Sequence, residues 1–298
     1  YKAAKHIRQH NPAIVIFVWW MPFFGPALST IARLVKRKTS AKVVFLVENY
    51  VSHEKRWFDR FLTKITLKHA DAFICQSGYI HEQLTLNFAS KPVYKTTLSI
   101  YDCYDLKRYD RSQARELLGI TAKKVILFFG LIRPYKGLDQ LLRTFKRLLE
   151  TDPDQLLLVV GECYENLDKY TGLINELGLT GKVQMHNRFI PNEEIEPYFK
   201  AADLVCLPYY SGTQSGILMM AYGFKIPVVA TNVGGISELI VPEKTGIIVP
   251  NNDPQELETG INRVFELQQG LDFAEQITTF TGELGYEGMA TFLQDIRK

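Results

Sequence analysis

The sequence predicts an α/β protein of two doubly wound parallel sheets. Three observations carry this. Continuous apolar runs of four to six residues alternate with segments of helical spacing. Several of the runs end at a glycine or proline. The alternation breaks once, over residues 98–119, and then restarts. Strands buried on both faces read as unbroken apolar runs, and parallel neighbours are joined through helices.

The elements follow in order. Residues 1–10 read as a helix with no strand before it. Residues 13–18 are a buried strand, 26–38 a helix, 42–47 a second strand and 54–69 a long amphipathic helix. Residues 72–75 are a third strand and 78–88 its following helix. Tyr101-Asp-Cys-Tyr-Asp105 has no clear period, 111–118 reads as a short helix, and the linker is expected near 100–121. The second series has strands at 125–129, 156–160, 183–185, 204–207 and 227–230. Helices are expected at 138–150, 167–177, 193–201 and from 216, with Asn192 as N-cap of the third. Expected domains are therefore 1–121, 122–280 and a C-terminal helix, 281–298, returning to the first domain.

Composition bounds the function. The 298 residues are 46% hydrophobic and 22% charged, which excludes disorder, collagen and coiled coil, and they suffice for about two domains. Four cysteines (Cys75, Cys103, Cys163, Cys206) lie far apart with no CxxC or Cys/His cluster, so a zinc site is not expected. Cys75 and Cys206 sit in apolar runs, which suits a reduced, cytoplasmic core. Net charge is only +3, too mild to argue for nucleic acid. No apolar run reaches the roughly 18 residues that span a bilayer. The chain starts at Tyr, and the N-terminal part of a larger protein is expected to precede it.

Ligands of doubly wound sheets bind beyond the carboxyl ends of the strands, and four loops there carry polar chemistry. Gly130-Leu-Ile-Arg133-Pro-Tyr-Lys136-Gly137 joins a planar guanidinium fork and a point charge, which suits a diphosphate; a solvated basic turn is the alternative. Ser211-Gly-Thr-Gln-Ser-Gly216 opens a helix whose free N–H groups attract anions, or is a polar connection with Ser as N-cap. Gly234-Gly235 permits close approach of a ligand or of another backbone, or is a tight turn. Glu162 at a strand end can meet a base or hydroxyl, or is a helix-entry acid. GxxxxGK[ST] and GxGxxG are both absent, which argues against a P-loop and against NAD.

Taken together, Phe129-Gly-Leu-Ile-Arg-Pro-Tyr-Lys-Gly137, Val160-Gly-Glu162, Phe189-Ile-Pro-Asn-Glu-Glu-Ile195, Ala202-Asp-Leu-Val205 with Pro208, Ala221-Tyr-Gly-Phe-Lys-Ile-Pro-Val-Val-Ala230 and Gly234-Gly-Ile-Ser-Glu238 resemble the donor domain of GT-B fold glycosyltransferases. The likeness is greatest to glycosyltransferase family 4 and covers roughly 122–260. Residues 1–100 resemble only the later half of that family's acceptor domain. The resemblance implies two Rossmann-like domains facing a cleft, and retaining, metal-independent transfer from a nucleotide-diphosphate sugar to a glycan or lipid-linked hydroxyl. It needs no cofactor beyond that co-substrate.

By the same resemblance, Gly130, Arg133, Lys136, Ser215, Gly216 and Ile217 hold the donor diphosphate. Gln214 and Thr213 meet the donor sugar. Glu162, Arg188 and Phe189 meet the nucleoside. His53, with Asn49 beside it, is the candidate catalytic group of the acceptor domain; a surface His capping the next helix is the alternative. One departure stands out. The family's two glutamates, eight apart, are replaced here by Tyr210 and Leu218. Gln214 can substitute in the sugar contact as a neutral hydrogen bonder. A non-catalytic nucleotide- or glycan-binding subunit is therefore the second reading. No Asp-x-Asp motif lies at a strand end, since Asp152-Pro-Asp154 is in a helix–strand loop. Finally, Trp19-Trp20-Met-Pro-Phe-Phe24 and the basic, aromatic stretch 53–61 suit a peripheral membrane contact, or packing inside the protein.

Overall fold

The computed structural model describes residues 2–50, 57–282, 284 and 287–297. Two compact units emerge: residues 1–98 with 285–298, and residues 99–284. In the first unit α1 (Lys2–His10), β1 (Ile14–Trp19), α2 (Gly25–Lys38), β2 (Lys42–Val47), α3 (Asp59–Leu67), β3 (Ala72–Cys75), α4 (Gly78–Asn87) and β4 (Val93–Lys95) alternate. The four strands are parallel in the order β1-β2-β3-β4. The first five residues of the expected 54–69 helix are not part of α3 as described, and three of them fall outside the described residues.

Pairing register decides which side chains share a face. Phe17, Phe45 and Phe73 are paired across β1, β2 and β3, as are Trp19, Val47 and Cys75. Together they form one buried face, closed by Ala32 and Val35 of α2, Leu67 of α3, and Ile80 and Leu84 of α4. Each wholly buried Phe contributes about 1.5–3 kcal/mol. Ser77 starts α4, its Oγ accepting from Ile80 N at 3.3 Å.

The second unit continues with α5 (Arg111–Leu117), β5 (Lys124–Phe129), α6 (Leu138–Thr151), β6 (Gln155–Val160), α7 (Asp168–Glu176), β7 (Val183–His186), α8 (Glu196–Ala201), β8 (Leu204–Leu207), α9 (Gly216–Gly223), β9 (Val228–Thr231), β10 (Gly246–Val249), α10 (Pro254–Leu267) and α11 (Phe273–Gly282). Its six strands are parallel in the order β10-β9-β8-β5-β6-β7. Residues 192–194 form a 3-10 turn, so Asn192 lies inside a turn instead of capping α8. Pro197, at the start of α8, lacks the N–H that a longer helix would need there.

The last helix, α12 (Glu287–Arg297), belongs to the first unit. Met289, Phe292, Leu293 and Ile296 recur at helical spacing and cover Val44, Ala72 and Ile74, the second face of that sheet. Phe292 stacks on Tyr94 with ring centroids 4.8 Å apart. Cys75 and Cys206 are buried free thiols, Cys163 is half-buried and Cys103 exposed. Among the described residues no helix is long and apolar enough to cross a membrane.

Residues 99–121, where the sequence loses its rhythm, are built into the second unit by charge. Asp110 and Gln113 form a capping box at the start of α5. The wholly buried Glu196 accepts from Arg108 N at 2.9 Å and Arg108 Nε at 3.1 Å. Asp203 receives Arg111, Arg115 Nη2 at 2.8 Å and Val125 N at 2.7 Å. Removing one partner from a buried pair leaves the other charge stranded. Asp203→Ala is therefore expected to destabilise the chain by about 3–5 kcal/mol. Arg111→Ala, whose side chain is largely exposed, should cost about 1 kcal/mol or less. Urea titration checks both, and equal losses would remove Asp203 from its central place.

Candidate functional site

β5 is flanked by β6 on one side and β8 on the other. Successive strands then run outward in opposite directions, so the connections leaving β5 and β8 diverge. A crevice opens at the carboxyl ends where such an order reverses. The loops bordering it are 130–137 after β5 and 208–215 after β8.

The first loop is held by an extension of the β5–β6 ladder. Ile132 N donates to Glu162 O at 2.9 Å and Tyr164 N to Ile132 O at 3.1 Å. This brings Arg133 and Tyr164 together, with the guanidinium carbon 4.7 Å from the Tyr164 ring centroid. Such a contact orients the planar fork without neutralising it. Residues Pro134–Lys136 then form a 3-10 turn that carries Lys136 inward.

Lys136 is 9% exposed. Its Nζ lies 5.5 Å from the centroid of the buried Tyr209 ring. Burial lowers its pKa, and among the described residues no carboxylate pairs with it. Gly130 has only hydrogen facing this ammonium. A Cβ there would lie 2.9 Å from Lys136 Nζ and 3.3 Å from Ile217 Cδ1. Gly130 thus sits between the ammonium and the first turn of α9.

The loop after β8 is fixed to the first one. Tyr210 N donates to Tyr135 O at 2.7 Å, and Gln140 donates to Pro208 O. Ser215 caps α9, its Oγ accepting from Leu218 N at 3.4 Å, with Tyr209 Oη also 3.4 Å away. The remaining free N–H groups of that helix start point into the same region as its positive dipole end. Thr213 and Ser215 are buried, while Gln214, Gly216 and Ile217 are half-buried. Gly130, Lys136 and the start of α9 are therefore brought together, and Arg133 lies three residues before Lys136 in the same loop. The combination offers a cation pair and backbone donors, the chemistry that holds a phosphate-like anion.

Gly234 is spent on another backbone, since a Cβ there would lie 1.8 Å from Gly212 O, and Gly235 N donates to Thr213 O at 2.9 Å. Glu162 lies in the loop after β6, its carbonyl serving the ladder. Arg188 donates to Glu194 and, at 3.3 Å, to Phe189 O, while Phe189 is exposed. Tyr210 Oη donates to Asp139 Oδ2 at 3.2 Å, and burial with this carboxylate pushes its pKa up to about 12. Leu218 is wholly buried, so that place in α9 faces the core. Asn49 lies in the first unit, its Nδ2 donating to Trp20 O at 3.4 Å. His53 lies outside the described residues. The sequence reading passed over Tyr164 and Tyr209, since single tyrosines in loops have no period or motif to mark them. Among the described residues no group of three or more His, Cys, Asp or Glu is placed to hold a metal ion.

His186 closes β7 beside this region. Gln184 Nε2 donates to its Nε2 at 3.0 Å, and Tyr198 Oη lies 3.4 Å from its Nδ1. A proton on Nε2 would set donor against donor. Burial, then Arg188, lowers its pKa below the ordinary 6.5. The neutral ring is thus the folded form. Its stabilisation is whole above about pH 6.5 and is lost as pH falls through the lowered folded value. Between pH 7.5 and 5.5 the melting temperature should fall less in His186→Gln than in the parent. Equal falls would show that His186 does not sense pH.

Residues 110–279, more than half the chain, match the family of glycosyl transferases group 1. D-inositol 3-phosphate glycosyltransferase of Corynebacterium diphtheriae is 29% identical over 197 residues, covering 61% of this chain and 45% of that protein. The chain thus spans about half the length of that curated relative. Anabaena Alr3699/HepE in complex with UDP superposes with a TM-score of 0.81 at 17% identity, over 99% of this chain and 81% of its own. Sucrose-phosphate synthase of Thermosynechococcus elongatus gives 0.77 at 18%, over 98% and 74%. These likenesses bear out the expected pair of Rossmann-like domains. The chain belongs to the glycosyl transferases group 1 family and has the GT-B fold.

Proposed function

We propose that the protein transfers a sugar from a nucleoside-diphosphate sugar to a hydroxyl of a glycan or lipid-linked acceptor. The single observation that carries this reading is the buried Lys136 ammonium, with no carboxylate partner among the described residues, beside Gly130 and the start of α9. An unpaired buried charge costs several kcal/mol, which an arriving anion offsets. The relative of known acceptor acts on an inositol phosphate by its name, and the Anabaena neighbour holds UDP.

In the reaction the bond from sugar C1 to the diphosphate oxygen breaks. The acceptor oxygen bonds to C1 and its proton passes to the departing diphosphate. Negative charge grows on the departing diphosphate, where Arg133, Lys136 and the N–H groups at Ser215, Gly216 and Ile217 stabilise it. These positive groups can do the work of a divalent ion, which supports a metal-independent mechanism. Gln214 and Thr213 face the sugar, and Glu162, Arg188 and Phe189 the nucleoside. Asn49 and His53 serve the acceptor side. Retention of the anomeric configuration follows from the resemblance to glycosyltransferase family 4, and the buried free thiols Cys75 and Cys206 suit a cytoplasmic location.

The burial of Leu218 favours a second reading, a subunit that binds a nucleotide or glycan without turnover. Release of free sugar from UDP-glucose and GDP-mannose, or its transfer, separates the two. Binding of UDP, GDP and ADP by titration calorimetry, with and without EDTA, tests the site itself. Lys136→Ala should weaken the preferred diphosphate by about 1–3 kcal/mol, the scale of a charge-assisted bond. Tyr164→Ala should weaken it by about 0.5–1 kcal/mol while Tyr164→Phe keeps the ring face and the affinity. Unchanged binding in both alanine variants would remove the diphosphate site.

A further inference from the structure

We propose that the first unit docks on an anionic lipid surface through an aromatic and basic face built by the turn Pro22–Phe24 and helix α3. This deepens the lipid-linked part of the reading above, although its observations stand apart from the donor site.

Charge is divided between the units. Residues 1–98 carry 15 lysines and arginines against 5 aspartates and glutamates, while residues 99–284 carry 18 against 25. A near-neutral chain therefore hides one strongly basic unit. Arg60 and Lys64 lie on the exposed side of α3 with exposed Lys68 at its end, and the acid of its first turn, Asp59, is buried.

Apolar rings stand beside these cations. Trp57, in the turn before α3, is 94% exposed, Phe61 is 65% exposed and Phe23 is 71% exposed. The turn bearing Phe23 and Phe24 is fastened to α3, since Thr66 Oγ1 donates to Gly25 O at 3.1 Å. Leu62 lies against the same glycine. Aromatics flanked by Lys and Arg fit the interface of a bilayer, where rings enter the headgroup layer and cations meet anionic lipid. The rings also touch one another. Phe23 meets Phe24 edge-on at 5.4 Å and Trp20 lies 5.6 Å from Phe24. These three rings form an apolar cluster, and the apolar side chains beside the cations favour lipid over nucleic acid.

The test is co-sedimentation of the full chain with phosphatidylcholine vesicles, with or without about one third phosphatidylglycerol, in the absence of donor and acceptor. Failure here therefore leaves the diphosphate site untouched. Binding is expected only with the anionic vesicles, and raising NaCl should release it. In a Trp20→Phe background the emitters are Trp57 and the wholly buried Trp19, so the part of the emission lost on Trp57→Phe should shift to the blue on binding. Arg60→Glu with Lys64→Glu should weaken binding about tenfold or more, and Trp57→Ser with Phe61→Ser should abolish the remaining adhesion. All these positions are exposed, and circular dichroism confirms the fold. Equal binding to both vesicles, an unshifted Trp57, or capture by single-stranded RNA without vesicle binding would each overturn the proposal.

Discussion

A lysine ammonium buried with no carboxylate partner among the described residues is the constraint on which the second unit turns. Burial alone would favour the neutral amine or an apolar residue. The fold nevertheless carries Lys136 inward on a 3-10 turn, lays it over Tyr209 and leaves a glycine opposite. What makes this possible is the reversal of strand order between β5 and β8. The two loops leaving these strands diverge, then are tied together by Tyr210 N to Tyr135 O. A positive site is thereby held rigidly by backbone, and the helix start at Gly216 adds to it.

Much of this was legible in the residues. Residues 42–47, 72–75 and 204–207 are apolar runs with clear ends, and each is a strand with those bounds. Such runs are readable because both faces of a parallel sheet are buried. β4 escaped because its Val-Tyr-Lys run is short and only partly buried. β10, α10 and α11 were not assigned, although Asp253 caps α10 with its carboxylate on Gln255 N and Glu256 N. The helix cap at Asn192 failed because local preference gave way to Pro197 and a 3-10 turn. At the site, Arg133 and Lys136 were visible as a charged pair at a strand end. The ring under Arg133 was not, because Tyr164 reaches it only through the ladder between two distant loops.

The two units also divide their physical chemistry. The second pairs its buried carboxylates Glu196 and Asp203 with arginines, and among the described residues no carboxylate pairs with its buried Lys136. The first keeps most of its described cations on the surface, where solvent and salt temper them. Its sheet is closed on one face by α2, α3 and α4 and on the other by α12. These arrangements suit different partners: a small anion desolvated in a crevice, and an extended charged surface met in water.

The most direct test of the central claim is the stability of the ligand-free chain when the buried cation is removed. Lys136→Met keeps the aliphatic stem over Tyr209 and deletes the charge. If the ammonium is held unpaired for an anion, urea denaturation should find the variant as stable as the parent or more stable by about 1 kcal/mol or more, while diphosphate no longer raises its stability. A variant destabilised by about 3 kcal/mol, the scale of a broken buried pair, would contradict the account.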